Sequence, residues 1–184
     1  RSGTSSFGQL FFSDGTSGDD EYRGIVGYSH ADNFMKFHTN AVERVRIDSS
    51  GRILIGTTTV PSNSNTDDFT LATSGSTGFT IRSGTSNDGQ IAFSDGTSGA
   101  DEYRGQVLYN HGSNYMRFVT DAQERLRIDS IGRVLIGTTT EGQGTADDLT
   151  IETSGSTGIT LRSGTSNDGS IFFSDGTSGL DEYR

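Results

Sequence analysis

The chain carries its apolar residues in short alternating runs, and no stretch repeats them with the period of a helix. Period-two alternation marks a half-buried strand, whose side chains point to opposite faces in turn. Leu10 and Phe12 flank Phe11, Val26 and Tyr28 flank Gly27, and Met35 and Phe37 flank Lys36. Phe69 with Leu71, and Phe79 with Ile81, continue the pattern. The runs predict an all-β chain with about seven short strands in each sequence repeat.

Those repeats divide the chain. Residues 1–81 align with 82–161, and a third copy opens at Arg162 and is cut at Arg184, so 162–184 is its truncated start. Arg82–Arg104 and Arg162–Arg184 differ at three of 23 positions. The copies differ in length by one residue, around Val60–Asn65 against Glu141–Gly144, which predicts a loop there. A start at Arg1 and a stop at Arg184, the equivalent of Arg23 and Arg104, with no capping repeat, suggest a window on a longer fibre.

The copies also separate two faces. Leu10, Ile91 and Ile171 stay apolar, as do Phe12, Phe93 and Phe173, while the position between reads Phe11, Ala92 and Phe172. Val26/Val107 and Tyr28/Tyr109 persist where Ile25 becomes Gln106. The persistent face is expected to be the core face and the tolerant one free.

One hairpin is legible in detail. Val45-Arg46-Ile47-Asp48 is followed by Ser49-Ser50-Gly51 and then Arg52-Ile53-Leu54-Ile55. A three-residue loop ending in glycine suits a type I turn closed by a left-handed glycine. It sets Ile47 opposite Ile53, Val45 opposite Ile55, and Asp48 against Arg52. Asp129, Gly132 and Arg133 repeat the device.

Composition changes the picture from a globule to something thinner. Leu, Ile, Val and Phe make up only 39 of 184 residues, whereas Gly, Ser and Thr make up 75. So little apolar material offsets an ordering cost of about 1–2 kcal/mol per residue only if it is shared. Each sheet has a narrow stripe to bury, and an 80-residue period with an antiparallel hairpin fits a simple solenoid poorly. Three identical chains around an axis would join three stripes in one dry interior and remove exposed edges. The expected partners are therefore two further copies of the chain, a homotrimer.

Charge and motifs exclude other classes. A net charge of −10 disfavours nucleic acid, which needs a basic face. No apolar run is long enough to span a membrane, and no signal peptide is recognisable. Without cysteine there is neither disulfide nor thiolate chemistry, and the glycines lack the collagen period.

The segment Glu43-Arg44-Val45-Arg46-Ile47-Asp48-Ser49-Ser50-Gly51-Arg52-Ile53-Leu54-Ile55-Gly56-Thr57, repeated as Glu124 to Thr138, resembles a motif of bacteriophage tail fibres. Ser13 to Gly18, Asp20-Glu21-Tyr22-Arg23-Gly24 and Asn33 to Phe37 are similar to what precedes that motif there. The resemblance implies an elongated, intertwined homotrimeric β shaft, of the β-prism or triple β-helix kind, in a virion appendage. In many members of that family the motif occurs near a C-terminal self-cleaving chaperone domain; here it is tandem, and no such domain is expected within this segment. The family supplies no catalytic residue to carry over.

Candidate chemistry is thin. The turn Asp14-Gly15-Thr16-Ser17-Gly18-Asp19-Asp20-Glu21 offers clustered oxygens for calcium, but the spacing is not that of an EF-hand and Asp19 becomes Ala100 and Leu180. Turns need Gly, Asp and Ser for backbone reasons, so a plain turn is the expectation. His30 aligns with His111, in the loop after the tyrosine strand, and His38 aligns with Val119, so no paired histidine motif repeats. Thr57-Thr58-Thr59 and Thr138-Thr139-Thr140 are too sparse for an ice-ordering ladder and read as strand end and linker. Arg44, Arg46 and Asp48, repeated as Arg125, Arg127 and Asp129, form either an Arg–carboxylate ladder between chains or a solvated face. No catalytic, cofactor or metal residues are assigned.

The function expected is mechanical: the shaft of an extracellular homotrimeric fibre, a phage tail fibre holding a receptor-binding tip away from the virion. The host receptor would be met by a tip outside this segment. The alternatives are a bacterial surface or secreted filament and, further off, a polysaccharide-cleaving tailspike, which needs a carboxylate pair in a groove.

Overall fold

A computed structural model describes residues 2–173. The chain forms two compact units, Arg1–Thr80 and Ile81–Arg184, each carrying one six-stranded sheet. The first contains β1 (Phe7–Phe12), β2 (Gly24–Ser29), β3 (Phe34–Thr39), β4 (Val42–Ile47), β5 (Ile53–Ile55) and β6 (Phe69–Leu71). The second contains β7 (Asp88–Phe93), β8 (Gly105–Asn110), β9 (Tyr115–Thr120), β10 (Gln123–Ile128), β11 (Val134–Ile136) and β12 (Leu149–Ile151).

Strand order follows the sequence in both sheets. The first five strands of each form an antiparallel meander, and the sixth joins in parallel after a crossover. Single 3₁₀ turns at Gly18–Tyr22 and Gly99–Tyr103 precede the second strand of each sheet, and no α-helix occurs among the described residues. Six strands, not seven, form in each repeat, because Phe79–Ile81 and Ile159–Leu161 pair with nothing. The described part of the third copy carries no strand, and its acidic turn, with Leu180, lies outside the described residues.

The hairpin of β4 and β5 has the anticipated register. Val45 faces Ile55 and Ile47 faces Ile53, Gly51 adopts φ 87° and its N–H donates to the Asp48 carbonyl. The β3–β4 turn instead puts Asn40 and Ala41 at φ 52° and 60°, and the β9–β10 turn does the same with Asp121 and Ala122. Two successive left-handed residues match the twist of a tight hairpin.

In the single chain burial falls on the tolerant face, and the persistent face keeps much of its surface exposed. Within the chain, the buried apolar residues Ile25, Leu54, Leu108, Val119 and Leu135 all lie on the tolerant face. Long side chains from neighbouring strands lie flat over that face and cover it with their stems. At Gly27 an added Cβ would sit 3.3 Å from both Gln9 Cγ and Lys36 Cε, so these two chains close over the glycine. Leu108 fills the same place in the second copy and is 1% exposed. Leu54 lies between Arg46 and Thr70 across the ladder, also 1% exposed. Leu54→Ala should cost about 2–5 kcal/mol. Calorimetry should show the first repeat melting earlier and the second unchanged; a loss below about 1 kcal/mol would mean that no packed layer covers Leu54.

Candidate functional site

The persistent apolar face lies open. Cross-strand register aligns Leu10, Val26, Phe37, Val45 and Ile55 in one row, and Tyr28, Met35, Ile47 and Ile53 in the next. Phe69 and Leu71 extend these rows across the parallel strand. The second sheet repeats them with Ile91, Val107, Phe118, Leu126 and Ile136, then Tyr109, Met116, Ile128 and Val134. Phe12, Phe69 and Phe93 are 57%, 59% and 62% exposed. In the second unit a hollow of about 320 Å³ on this face is lined by Ile81, Ile91, Val107, Tyr109, His111 and Met116. An apolar surface spanning every strand of a sheet is far larger than the scattered exposed residues of ordinary monomers.

The charged side chains of the repeated strand motif, by contrast, are engaged inside the chain. Arg46 forks onto Glu43, with Nε and Nη2 donating at 2.6 and 3.0 Å, and stacks 3.8 Å over the Phe34 ring. Arg127 does the same with Glu124 and Tyr115. Arg44 and Arg125 donate to Thr39 and Thr120. The carboxylates that a ladder between chains would need are therefore already taken at Arg46 and Arg127, because residues three apart meet across the β-bulge after Glu43 and Glu124.

Asp48 anchors its hairpin. Its carboxylate accepts from Arg52 Nε at 2.7 Å and from the N–H groups of Ser50 and Arg52, while Arg52 Nη1 reaches Asp67 at 2.9 Å. Burial pushes the Asp48 carboxyl up, but the Arg52 guanidinium and the two N–H donors outweigh it and hold it below the ordinary value. A lowered value means that this stabilisation is present above the ordinary carboxylate range and fades as the pH falls through the folded-state value. Asp48→Asn should cost about 1–3 kcal/mol at neutral pH and flatten the acid limb of the first repeat's unfolding curve. An unchanged acid limb would contradict this assignment.

The acidic turn is held by an internal cation. Arg23 lies 2.6 Å from Asp20 and 3.5 Å from Asp14, and its Nη1 donates to Asn40 Oδ1 at 2.6 Å. Its carbonyl accepts from the Ala41 N–H, so one arginine ties the acidic turn to the β3–β4 turn. Arg104 repeats this with Asp101, Asp95 and Asp121. Among the described residues no three His, Asp or Glu side chains gather as a metal site.

His30 and His111 follow the tyrosine strands and pack edge-on against Tyr28 and Tyr109. His38 is different. It faces Ile25 on β2 and Glu43 on β4, with Lys36 beside it and Arg46 nearby, and neither ring nitrogen has a hydrogen-bond partner. Burial, then the Lys36 and Arg46 charges, push its pKa below the ordinary 6.5 against the pull of Glu43 3.8 Å away. The folded chain thus prefers neutral His38, and stability is complete above 6.5 and declines as the pH drops below it. The first repeat should melt lower at pH 5.5 than at 7.5, and His38→Val, the residue at position 119 of the other copy, should abolish the difference. Equal shifts in both repeats would rule this out.

Thr57 and Thr138 follow the ends of β5 and β11 and make local turns through Thr59 and Thr140. No helix among the described residues is long and apolar enough to cross a membrane. No protein-family model and no curated protein matches this sequence. The functional candidate is therefore the open face itself, and the signal for it was the persistence of one strand face between copies.

Proposed function

We propose that the chain is a shaft segment of an extracellular homotrimeric fibre, a phage tail fibre that holds a host-binding tip away from the virion. The observation that carries this reading is the apolar face left open across all six strands in both repeats. Folding of one chain fully buries apolar side chains only on the opposite face, so water removal from the persistent residues needs another surface. Equal faces on successive repeats suit an assembly that grows along an axis, where each repeat meets the same repeat of its neighbours. The tandem motif from Glu43 to Thr57 and Glu124 to Thr138 supports the same assignment. A shaft needs length and rigidity, and the internally closed Arg–carboxylate pairs stiffen each sheet without a ligand.

Sedimentation equilibrium should give about three times the 19.6 kDa chain mass. Negative-stain images should show rods. A monodisperse, cooperatively folded 19.6 kDa species at micromolar concentration would overturn the proposal.

A further inference from the structure

Between β12 and the third copy runs a segment with strand chemistry and no strand. Ile159, Thr160 and Leu161 alternate apolar, polar and apolar, and no ladder includes them. Ile159 and Leu161 are 64% and 51% exposed. β12 ends its sheet, so its outer edge presents unpaired N–H and C=O groups. Neither need is met within the unit.

The flanking charges are complementary. Asp147 is engaged by Arg133 at 2.7 Å, but the exposed side chains of Asp148 and Arg162 take part in no ion pair among the described residues. Antiparallel alignment that sets Ile151 against Ile159 and Leu149 against Leu161 also sets Asp148 against Arg162. The first copy has the same arrangement in Asp68-Phe69-Thr70-Leu71 and Phe79-Thr80-Ile81-Arg82. Parallel alignment would place Arg162 opposite Glu152 in one copy but Arg82 opposite Ala72 in the other. Only the antiparallel register gives both arginines a carboxylate.

Within one chain this hairpin does not close. Thr153 Oγ1 bonds the carbonyls of Gly155 and Ser156 and the hydroxyl of Thr157, fixing a compact turn. Beyond it Leu161 runs on toward Gly169, where its Cβ lies 3.7 Å from the position a Cβ would take. We propose that Ile159–Arg162 of one chain adds as an antiparallel seventh strand to β12 of a second copy, and Phe79–Arg82 likewise to β6. Each chain donates a strand and receives one, a heterologous contact that closes into a ring. The added strand places Ile159 and Leu161 beside Ile151 and Leu149, continuing the apolar face. This inference rests on the assembled-fibre reading.

The cysteine-free sequence makes the test clean. Asp148→Cys/Arg162→Cys should, on mild oxidation, lose most of its monomer band on a non-reducing gel to linked multimers that reductant releases. Asp68→Cys/Arg82→Cys should behave alike, and Asp148→Cys alone should stay monomeric on the gel. A trimeric native mass with no link, or only links within chains, in both double variants would overturn the strand exchange and leave the fibre reading standing. A monomeric native mass of the unaltered chain would overturn both.

Discussion

Phe37→Asp combined with Phe118→Asp is expected to leave both sheets folded and to disperse the proposed trimer. Phe37 sits mid-face, opposite Val26 on β2 and Val45 on β4, and Phe118 sits opposite Val107 and Leu126. In the separate chain each ring is already more than a third exposed, so a carboxylate there stays solvated and disturbs little. Enclosed among apolar faces of neighbouring chains, as proposed, the same carboxylate would lose its water without a partner, at a cost of several kcal/mol per site. Three chains would carry six such charges. Sedimentation should show monomers with an unchanged strand signature by circular dichroism. An undiminished trimer would show that assembly uses some other surface, and lost strand signal would show that the face is a core within the chain.

Gly56→Ala and Gly137→Ala should be among the most damaging single changes to the separate sheets. Both glycines adopt left-handed backbone, φ 73° and 75°, just after β5 and β11. An added Cβ would lie 2.2 Å from the carbonyl oxygen of Ala72 or Glu152, backbone that is itself pinned by N–H bonds to Ile55 and Ile136. Strain at the left-handed residue and displacement of the parallel strand together cost about 2–6 kcal/mol. Gly51→Ala separates the two contributions. That glycine has φ 87° but nothing within 4 Å, so its replacement carries the conformational strain alone. Denaturant unfolding should therefore rank Gly56→Ala well below Gly51→Ala in stability, and equal losses would remove the steric argument.

Much of the fold was legible because local chemistry and register agree. The β4–β5 hairpin has a glycine where the turn needs positive φ and an opposite-charge pair where the ladder closes, so both ends of the argument point to one register. The β3–β4 turn was not legible, since Asn40-Ala41 lacks the glycine that usually marks two left-handed residues. The parallel pairing of β5 with β6 joins distant segments and leaves no local trace. Alternation identified Phe79–Ile81 as a strand, but alternation reports fitness for a pleated surface, not the presence of a neighbour to pair with. The comparison of copies separated the two strand faces. It could not say that the chain hides the other, because Lys36, Gln9 and Arg46 look polar in sequence while their stems serve as a lid.

The crossover between the last two strands of each sheet gives the repeat a tolerant joint. A residue inserted in a tight hairpin would turn every following side chain to the opposite face. The crossover, residues 56–68 in one copy and 137–148 in the other, absorbs a length change without disturbing either ladder. Foreign peptides spliced at Ser62–Asn65 would thus leave the flanking strands paired, making the chain a natural carrier for epitopes or tags.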